Sequence, residues 1–208
     1  MNCRPEDMLL YAVTDRAWRK GETLESQVEK ALKGGATFVQ LREKELDEAE
    51  FLEEAKKLKM LCRKYQVPFV INDNVEIALA VDADGVHVGQ SDMEAGKVRE
   101  KLGSDKIIGV SCKNVEQALL AKKHGANYLG VGAIYPTGTK KDADAVTPGM
   151  LAKICQAVDI PVVAIGGLNK EHLELLKGTG VDGIAVVSAL FAEMQKQLTD
   201  NIKKRGQL

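Results

Sequence analysis

HGANYLGVGAIYPTGTK, residues 124–140, holds one complete unit of the fold. Gly125 stops a helical segment, Ala126-Asn127 links it onward, and an apolar run leads to Ile134. The run reads as a parallel strand buried on both faces. Tyr135-Pro136 ends it, because proline cannot donate to a strand ladder. Beyond it, Thr137, Gly138, Thr139 and Lys140 bring two hydroxyls, an open backbone and an ammonium within four residues. Such groups donate to phosphate oxygens. Taken alone, they also suit a solvated turn.

The same phrase returns along the chain. GGATFVQ (34–40), DADGVHVG (82–89) and GTGVDGIAVV (178–187) each pass through a small or polar residue into a strand. Apolar runs at 8–13, 37–41, 68–71, 85–88, 107–110, 128–133, 162–165 and 183–187 predict eight strands. Helical patterns at 24–33, 48–65, 75–81, 94–102, 115–124, 148–157, 170–177 and 189–203 follow them in turn. Ser91 with Glu94 forms a capping box, Asp73 with Glu76 resembles one, and Thr147-Pro148 sets a cap before a proline. Eight strand–helix units joined by short links predict an α/β fold, a closed (β/α)8 TIM barrel, as a single domain over 1–208.

Composition sets outer bounds. The 208 residues are 45% hydrophobic and 28% charged, with a net charge of −1. Bulk charge favours neither nucleic acid nor an anionic membrane. The start, MNCRPEDMLL, lacks the apolar core of a signal peptide, and no apolar run approaches the ~20 residues of a membrane span. Cys3, Cys62, Cys112 and Cys155 lie far apart and read as reduced cytosolic thiols. The expected location is the cytoplasm.

A barrel carries its chemistry at the C-terminal ends of its strands. Strand 2 ends Gln40-Leu41-Arg42-Glu43-Lys44, and alternation sends Gln40, Arg42 and Lys44 to one side. The two cations await an anion there, or pair with Glu43 and Glu45 in a surface network. Strand 3 ends Asn72-Asp73, and Gln90-Ser91-Asp92 follows strand 4. Two carboxylates past adjacent strands suit Mg²⁺, which takes few carboxylates together with water and phosphate oxygens. Asp73 suits a helix cap equally well. His87 sits in apolar company and reads as a satisfied core histidine. Ser111, closing strand 5, suits a phosphate or a turn. No His–Asp pair flanks Ser111 or Cys112, which excludes nucleophilic hydrolysis. Gly166-Gly167 after strand 7 and Val187-Ser188 at the end of strand 8 fit the recurrent phosphate site of barrels.

These stretches together resemble the thiamine-phosphate synthase family: LYAVTDR (10–16), VQLREK (39–44), INDN (71–74), ADGVHVGQSD (83–92), GVSC (109–112), GAIYPTGTKKD (132–142), AIGGL (164–168) and VVSAL (186–190). They span nearly the whole chain in the family's order. Asn74 stands where a second aspartate is frequent, and Ala133 where proline is frequent. The resemblance implies that a hydroxymethylpyrimidine diphosphate joins a thiazole phosphate, giving thiamine phosphate and pyrophosphate. It implies that Gln40, Arg42, Lys44, Asn72 and Lys140 contact the pyrimidine diphosphate, and that Ser111 serves the pyrophosphate. Asp73 and Asp92 would hold Mg²⁺. Thr137, Thr139, Gly167, Val187 and Ser188 would hold the thiazole phosphate. Lys140, Ser111 and Arg42 are the expected catalytic set. The expected partners are these two small molecules, with no nucleic acid and no membrane; self-association stays open. A thiazole tautomerase-type isomerase of the same fold would not need the full diphosphate set. A non-catalytic phosphate-binding regulator has no use for paired aspartates. Another phosphosugar barrel enzyme would more often show a general acid–base pair.

Overall fold

A computed structural model describes residues 3–18, 22–89, 95–135 and 145–187 of the chain. Eight parallel strands close into a barrel in sequence order: β1 Leu10–Val13, β2 Phe38–Leu41, β3 Phe69–Asn72, β4 Gly85–Val88, β5 Ile107–Cys112, β6 Tyr128–Val131, β7 Val162–Ile165 and β8 Gly183–Val186. β8 pairs with β1 through Tyr11 and Ala185, so no edge strand remains. The helices are α1 Leu24–Lys33, α2 Glu48–Lys64, α3 Val75–Ala80, α4 Ala95–Leu102, α5 Val115–Lys123 and α6 Pro148–Ala157. The barrel expected from the alternating pattern is the one that forms.

Period-two alternation divides each strand between two cores. Phe38 points into the barrel with Tyr11, Val70, Ile107, Tyr128 and Val163. Val39 and Leu41 point outward, into the layer between sheet and helices that also holds Leu58, Ile71 and Leu129. Both layers bury mostly apolar side chains, which explains why the strands read as apolar runs.

The recurring phrase ahead of the even strands has a structural cause. The residue just before each of β2, β4, β6 and β8 is Thr37, Asp84, Asn127 or Asp182. Each accepts an N–H from the start of the preceding strand. Leu10 N–H donates to Thr37 Oγ1 (3.0 Å), and Phe69 N–H to Asp84 Oδ2 (2.8 Å). Ile108 N–H donates to Asn127 Oδ1 (2.9 Å), and Val162 N–H to Asp182 Oδ2 (2.8 Å). The four residues return their own N–H to the carbonyl of that same partner. The side-chain oxygen continues the ladder where the sheet begins, so these four amides near the strand starts are paired. Gly125, with φ at 89°, turns the chain out of α5 into this arrangement.

Three local expectations are revised. Met8 lies in a 3₁₀ turn over Pro5–Met8 that plugs the barrel floor, so β1 starts at Leu10. Residues Lys170–Leu176 form a 3₁₀ helix rather than an α-helix. Leu173 and Leu176 are both buried, and a three-residue turn places them on one side. The segment at 75–81 is capped by Asn74, whose Oδ1 accepts from Ile77 N–H (2.9 Å), not by Asp73. The Thr147 cap forms as expected, with Met150 N–H donating to Thr147 Oγ1 (3.2 Å). The Ser91–Glu94 box and the segment at 189–203 lie outside the described residues. Cys62 and Cys112 are buried free thiols, pushed up to about 12 by that burial, so neither is a thiolate at neutral pH.

Candidate active site

Because all strands are parallel, Arg42, Asp73, Ser111, Gly167 and Val187 reach the same rim, at the C-terminal ends of β2, β3, β5, β7 and β8. Gln40 and Asn72 lie on β2 and β3 at that end. Asp92, Thr137, Thr139, Lys140 and Ser188 lie outside the described residues.

At the β2 end the alternative reading, in which Arg42 and Lys44 pair with Glu43 and Glu45, is not the arrangement among the described residues. Arg42 Nη1 donates to Asp15, which follows β1 (2.9 Å), and its backbone N–H donates to buried Thr14 Oγ1 (3.0 Å). Glu43 is taken by Arg16 (2.7 Å) and by the N–H groups of Lys44 and Glu45. Burial pushes the Glu43 carboxyl up, but these donors outweigh it and hold the group below the usual carboxylate range. The other donors of Arg42 meet no acceptor among the described residues. Lys44 is exposed and makes no ion pair among them.

Relieved of capping, Asp73 becomes a rim carboxylate. Its backbone sits at φ 62°, a conformation that non-glycine residues adopt at a cost and that recurs at functional sites. Its N–H donates to the His87 carbonyl (2.9 Å), and its Oδ2 accepts from Asn72 Nδ2 (2.5 Å). Asn72 and Asp73 are hard oxygen donors side by side. Among the described residues no group of three His, Cys, Asp or Glu gathers as a metal site.

Below the rim a chain of polar side chains crosses the barrel. Gln40 Nε2 donates to Tyr11 Oη (2.6 Å), and the two phenol oxygens of Tyr11 and Tyr128 lie 2.7 Å apart. Tyr128 Oη is 2.9 Å from His87 Nδ1, and His87 Nε2 is 2.9 Å from Ser111 Oγ. His87 is therefore a satisfied core histidine, as expected, yet it is satisfied by a site residue. Tyr11, Phe38 and Tyr128 pack edge to face, with centroids 4.7–5.7 Å apart.

The β7 end is built from backbone. Gly166 and Gly167 have φ of 98° and 63°. A Cβ on Gly166 would lie 2.5 Å from that of Ala133, so glycine alone fits. Tyr135 N–H donates to the Gly166 carbonyl (3.1 Å). His172 Nδ1 donates to the Gly167 carbonyl (2.9 Å), and its ring stacks on Tyr135 at 3.8 Å. Val187 is half-buried against the barrel interior.

Residues 10–190 match the family model described as thiamine monophosphate synthase. The thiamine-phosphate synthase of Clostridium acetobutylicum is 54% identical over 205 residues, covering 96% of this chain and 97% of its own. That of Clostridium botulinum (strain Eklund 17B / Type B) is 52% identical over 198 residues, covering 95% and 90%. The solved thiamine phosphate pyrophosphorylase from Pyrococcus furiosus is 42% identical, with a TM-score of 0.86 and 96% of each chain covered.

The chain belongs to the thiamine monophosphate synthase family. It is a transferase of thiamine biosynthesis on a (β/α)8 barrel. The two departures from the thiamine monophosphate synthase pattern are local. Asn74 makes the helix cap that an aspartate would make equally well, and Ala133 lies against Gly166, in the wall of the β7 loop. Sequence reasoning missed Asp15, Tyr11, Tyr128 and His172. Asp15 and Tyr11 stood inside a matching stretch, LYAVTDR, and their polar atoms were the available signal. No helix among the described residues is long and apolar enough to cross a membrane.

Proposed function

We propose that this rim joins 4-amino-2-methyl-5-(diphosphooxymethyl)pyrimidine to a thiazole phosphate by a dissociative alkyl transfer that releases pyrophosphate. The observation that carries the reading is the contrast around one rim. Arg42, Asn72, Asp73 and Ser111 offer charged and polar side chains on one side, and the Gly166-Gly167 loop offers backbone on the other. Two phosphorylated substrates need two such sites. Gln40, Arg42, Lys44, Asn72 and Lys140 hold the pyrimidine diphosphate. Ser111 donates to the pyrophosphate, and Lys140 and Arg42 meet the negative charge that grows as it departs. Thr137, Thr139, Gly167, Val187 and Ser188 hold the thiazole phosphate. The thiazole nitrogen carries its own lone pair, so no general base is required.

The carboxylates of Asp73 and Asp92 are the ligands for Mg²⁺, and hard oxygen donors beside Asn72 fit that ion. When bound, it neutralises charge on the leaving diphosphate. The chain acts in the cytoplasm as one barrel domain over 1–208. Incubation with both substrates and Mg²⁺ is expected to yield thiamine phosphate and pyrophosphate. Excess chelator should stop turnover, and Asp73→Ala should raise the Mg²⁺ requirement or abolish activity. Full turnover in chelator would overturn the metal assignment. No product under any divalent ion would overturn the reading as a whole.

A further inference from the structure

Asp15-Arg16 and Arg42-Glu43 follow the neighbouring strands β1 and β2, and they exchange two ion pairs. Arg42 Nη1 donates to Asp15 Oδ2 (2.9 Å), and Arg16 Nη2 to Glu43 Oε2 (2.7 Å). Each carboxylate turns its second oxygen to the backbone just beyond it. Asp15 Oδ1 accepts from Ala17 N–H (3.0 Å). Glu43 Oε1 accepts from Lys44 N–H (2.8 Å) and Glu45 N–H (3.0 Å). Arg16 also reaches Glu54 of α2 (3.2 Å), which ties the exchange to the helix layer.

This arrangement runs against the charge of the ligand proposed for the rim. A diphosphate is a polyanion, yet Asp15, Glu43 and Glu54 gather three carboxylates around the strand end that would receive it. As bare charges they repel it. The side chain of Glu43 is 2% exposed, and a buried carboxylate is costly unless donors surround it. Four donors do: Arg16 Nε and Nη2, and the N–H groups of Lys44 and Glu45.

What the carboxylates gain is order. An arginine side chain has many rotamers, and immobilising it at the moment of binding costs affinity. Asp15 holds the Arg42 guanidinium by Nη1 and leaves its Nε–Nη2 edge, a fork that can span two oxygens of one phosphate. Glu43 folds back over its own successors and fixes the peptide on either side of Lys44. Lys44 therefore leaves a defined stretch of backbone.

We propose that Asp15, Arg16 and Glu43 are positioning residues, a crossed clamp that sets Arg42 and Lys44 in place for the diphosphate before it binds. This rests on the reading that places the diphosphate at those two cations. The clamp serves one substrate. None of its bonds among the described residues reaches the Gly166-Gly167 loop, proposed for the thiazole phosphate.

The sign of one effect tests it. Asp15→Asn keeps the size of the side chain, removes a negative charge and turns an amide N–H₂ or a weaker acceptor toward Arg42. Acting only through its charge, Asp15 would weaken diphosphate binding, and the variant would bind the pyrimidine diphosphate more tightly. Acting as a clamp, it strengthens binding, and the variant's Kd for that substrate should rise ~3- to 10-fold, as for one lost hydrogen bond. Calorimetry with each substrate alone, in Mg²⁺, reads the difference. Glu43→Gln should raise the same Kd by a similar ~3- to 10-fold. Kd for the thiazole phosphate should stay at the wild-type value in both. Added to Arg42→Ala, Asp15→Asn should cost less than about twofold more, because it acts through Arg42. Should Glu43→Gln not fold, Arg16→Lys keeps the charge, breaks the fork and tests the same pair from its other side. An unchanged or lower Kd for the pyrimidine diphosphate in Asp15→Asn, or equal rises for both substrates, would overturn the clamp while product formation by the wild type upheld the activity. A wild-type protein that makes no thiamine phosphate would overturn the activity, and the clamp's role with it.

Discussion

The two ends of the barrel are built by opposite rules. At the N-terminal end the four even strands are entered in one way, by Thr37, Asp84, Asn127 and Asp182, each closing a two-point bond with the strand before it. At the C-terminal end β2, β3, β5 and β7 are each left differently. β2 runs into Arg42, β3 into a left-handed Asp73, β5 stops on Ser111, and β7 turns through two glycines. Polar groups at the floor are used up locally. Arg99 of α4 is the extreme case: it donates to the carbonyls of Gly103, Lys106 and Gly125 and to Asn127 Oδ1, all at 2.7–2.8 Å. Arg42 at the rim holds one carboxylate, Asp15, and has donors left over. Repetition solves a folding problem shared by the four even strands, and variety is what the ligands proposed for the rim require.

The largest effect should therefore come from the rim. Arg42→Ala removes the cation proposed to face the diphosphate and takes from Asp15 its ion-pair partner. By analogy with the loss of one preorganised donor, turnover should fall ~100- to 1000-fold. Arg42→Lys should recover only part, since an ammonium cannot keep Asp15 and also span two phosphate oxygens. Thermal denaturation should change little. Pyrophosphate release within threefold of wild type, or a collapse in Tm, would move Arg42 into the floor's class and erase the contrast.

Much of this contrast was legible in the residues before the structure. The strands could be read because both faces of each are buried, and burial on both faces leaves a continuous apolar run. The repeated phrase marked something common to the four strands it precedes, although not the bond it makes. What stayed hidden depends on the closure of the barrel. Alternation sends Gln40 inward but cannot say that its amide meets Tyr11, because that contact follows from how neighbouring strands are staggered. Charges adjacent in sequence suggested that Arg42 pairs with Glu43 or Glu45. The partner is Asp15, twenty-seven positions away. The Asp73–Asn74 exchange is a further limit. Aspartate and asparagine both suit helix caps, and only the backbone turn at Asp73 leaves the cap to Asn74.

The floor predicts the reverse phenotype, at smaller amplitude. Asp84→Ala deletes the acceptor of Phe69 N–H and the partner of Lys59 (2.8 Å). A part-buried N–H left without an acceptor costs about 1–3 kcal/mol, so Tm should fall by several degrees. The kcat, KM and Mg²⁺ requirement of the surviving folded enzyme should match wild type. A fall in kcat at full occupancy would show that the two ends are coupled, and that the division drawn between them is too sharp.

The smallest effect isolates charge from hydrogen bonding within the repeated floor. Asp182 stands where Asn127 stands one repeat earlier, so the fold already accepts an amide in this role. Burial raises the Asp182 carboxyl above the usual aspartate range, an effect only partly offset by the Val162 N–H that it accepts. A carboxyl with a raised folded-state pKa binds its proton more tightly folded than unfolded. Stability therefore falls as pH rises from the unfolded pKa through the folded one, and the penalty is fully present at neutral pH. Asp182→Asn keeps an oxygen acceptor for Val162 and removes the charge. At pH 7 the variant should equal or slightly exceed wild type in Tm, a small effect because Asp182 is only partly buried and its charge is screened by solvent. Below the unfolded pKa, where the wild-type carboxyl is protonated in both states, that advantage should vanish. Asp84→Asn should show no such gain, because its charge is matched by Lys59. Thermal melts of both variants across pH 3–8 decide the point: an Asp182→Asn protein less stable than wild type at neutral pH would mean that the floor requires the carboxylate itself, and that its four staples are not equivalent.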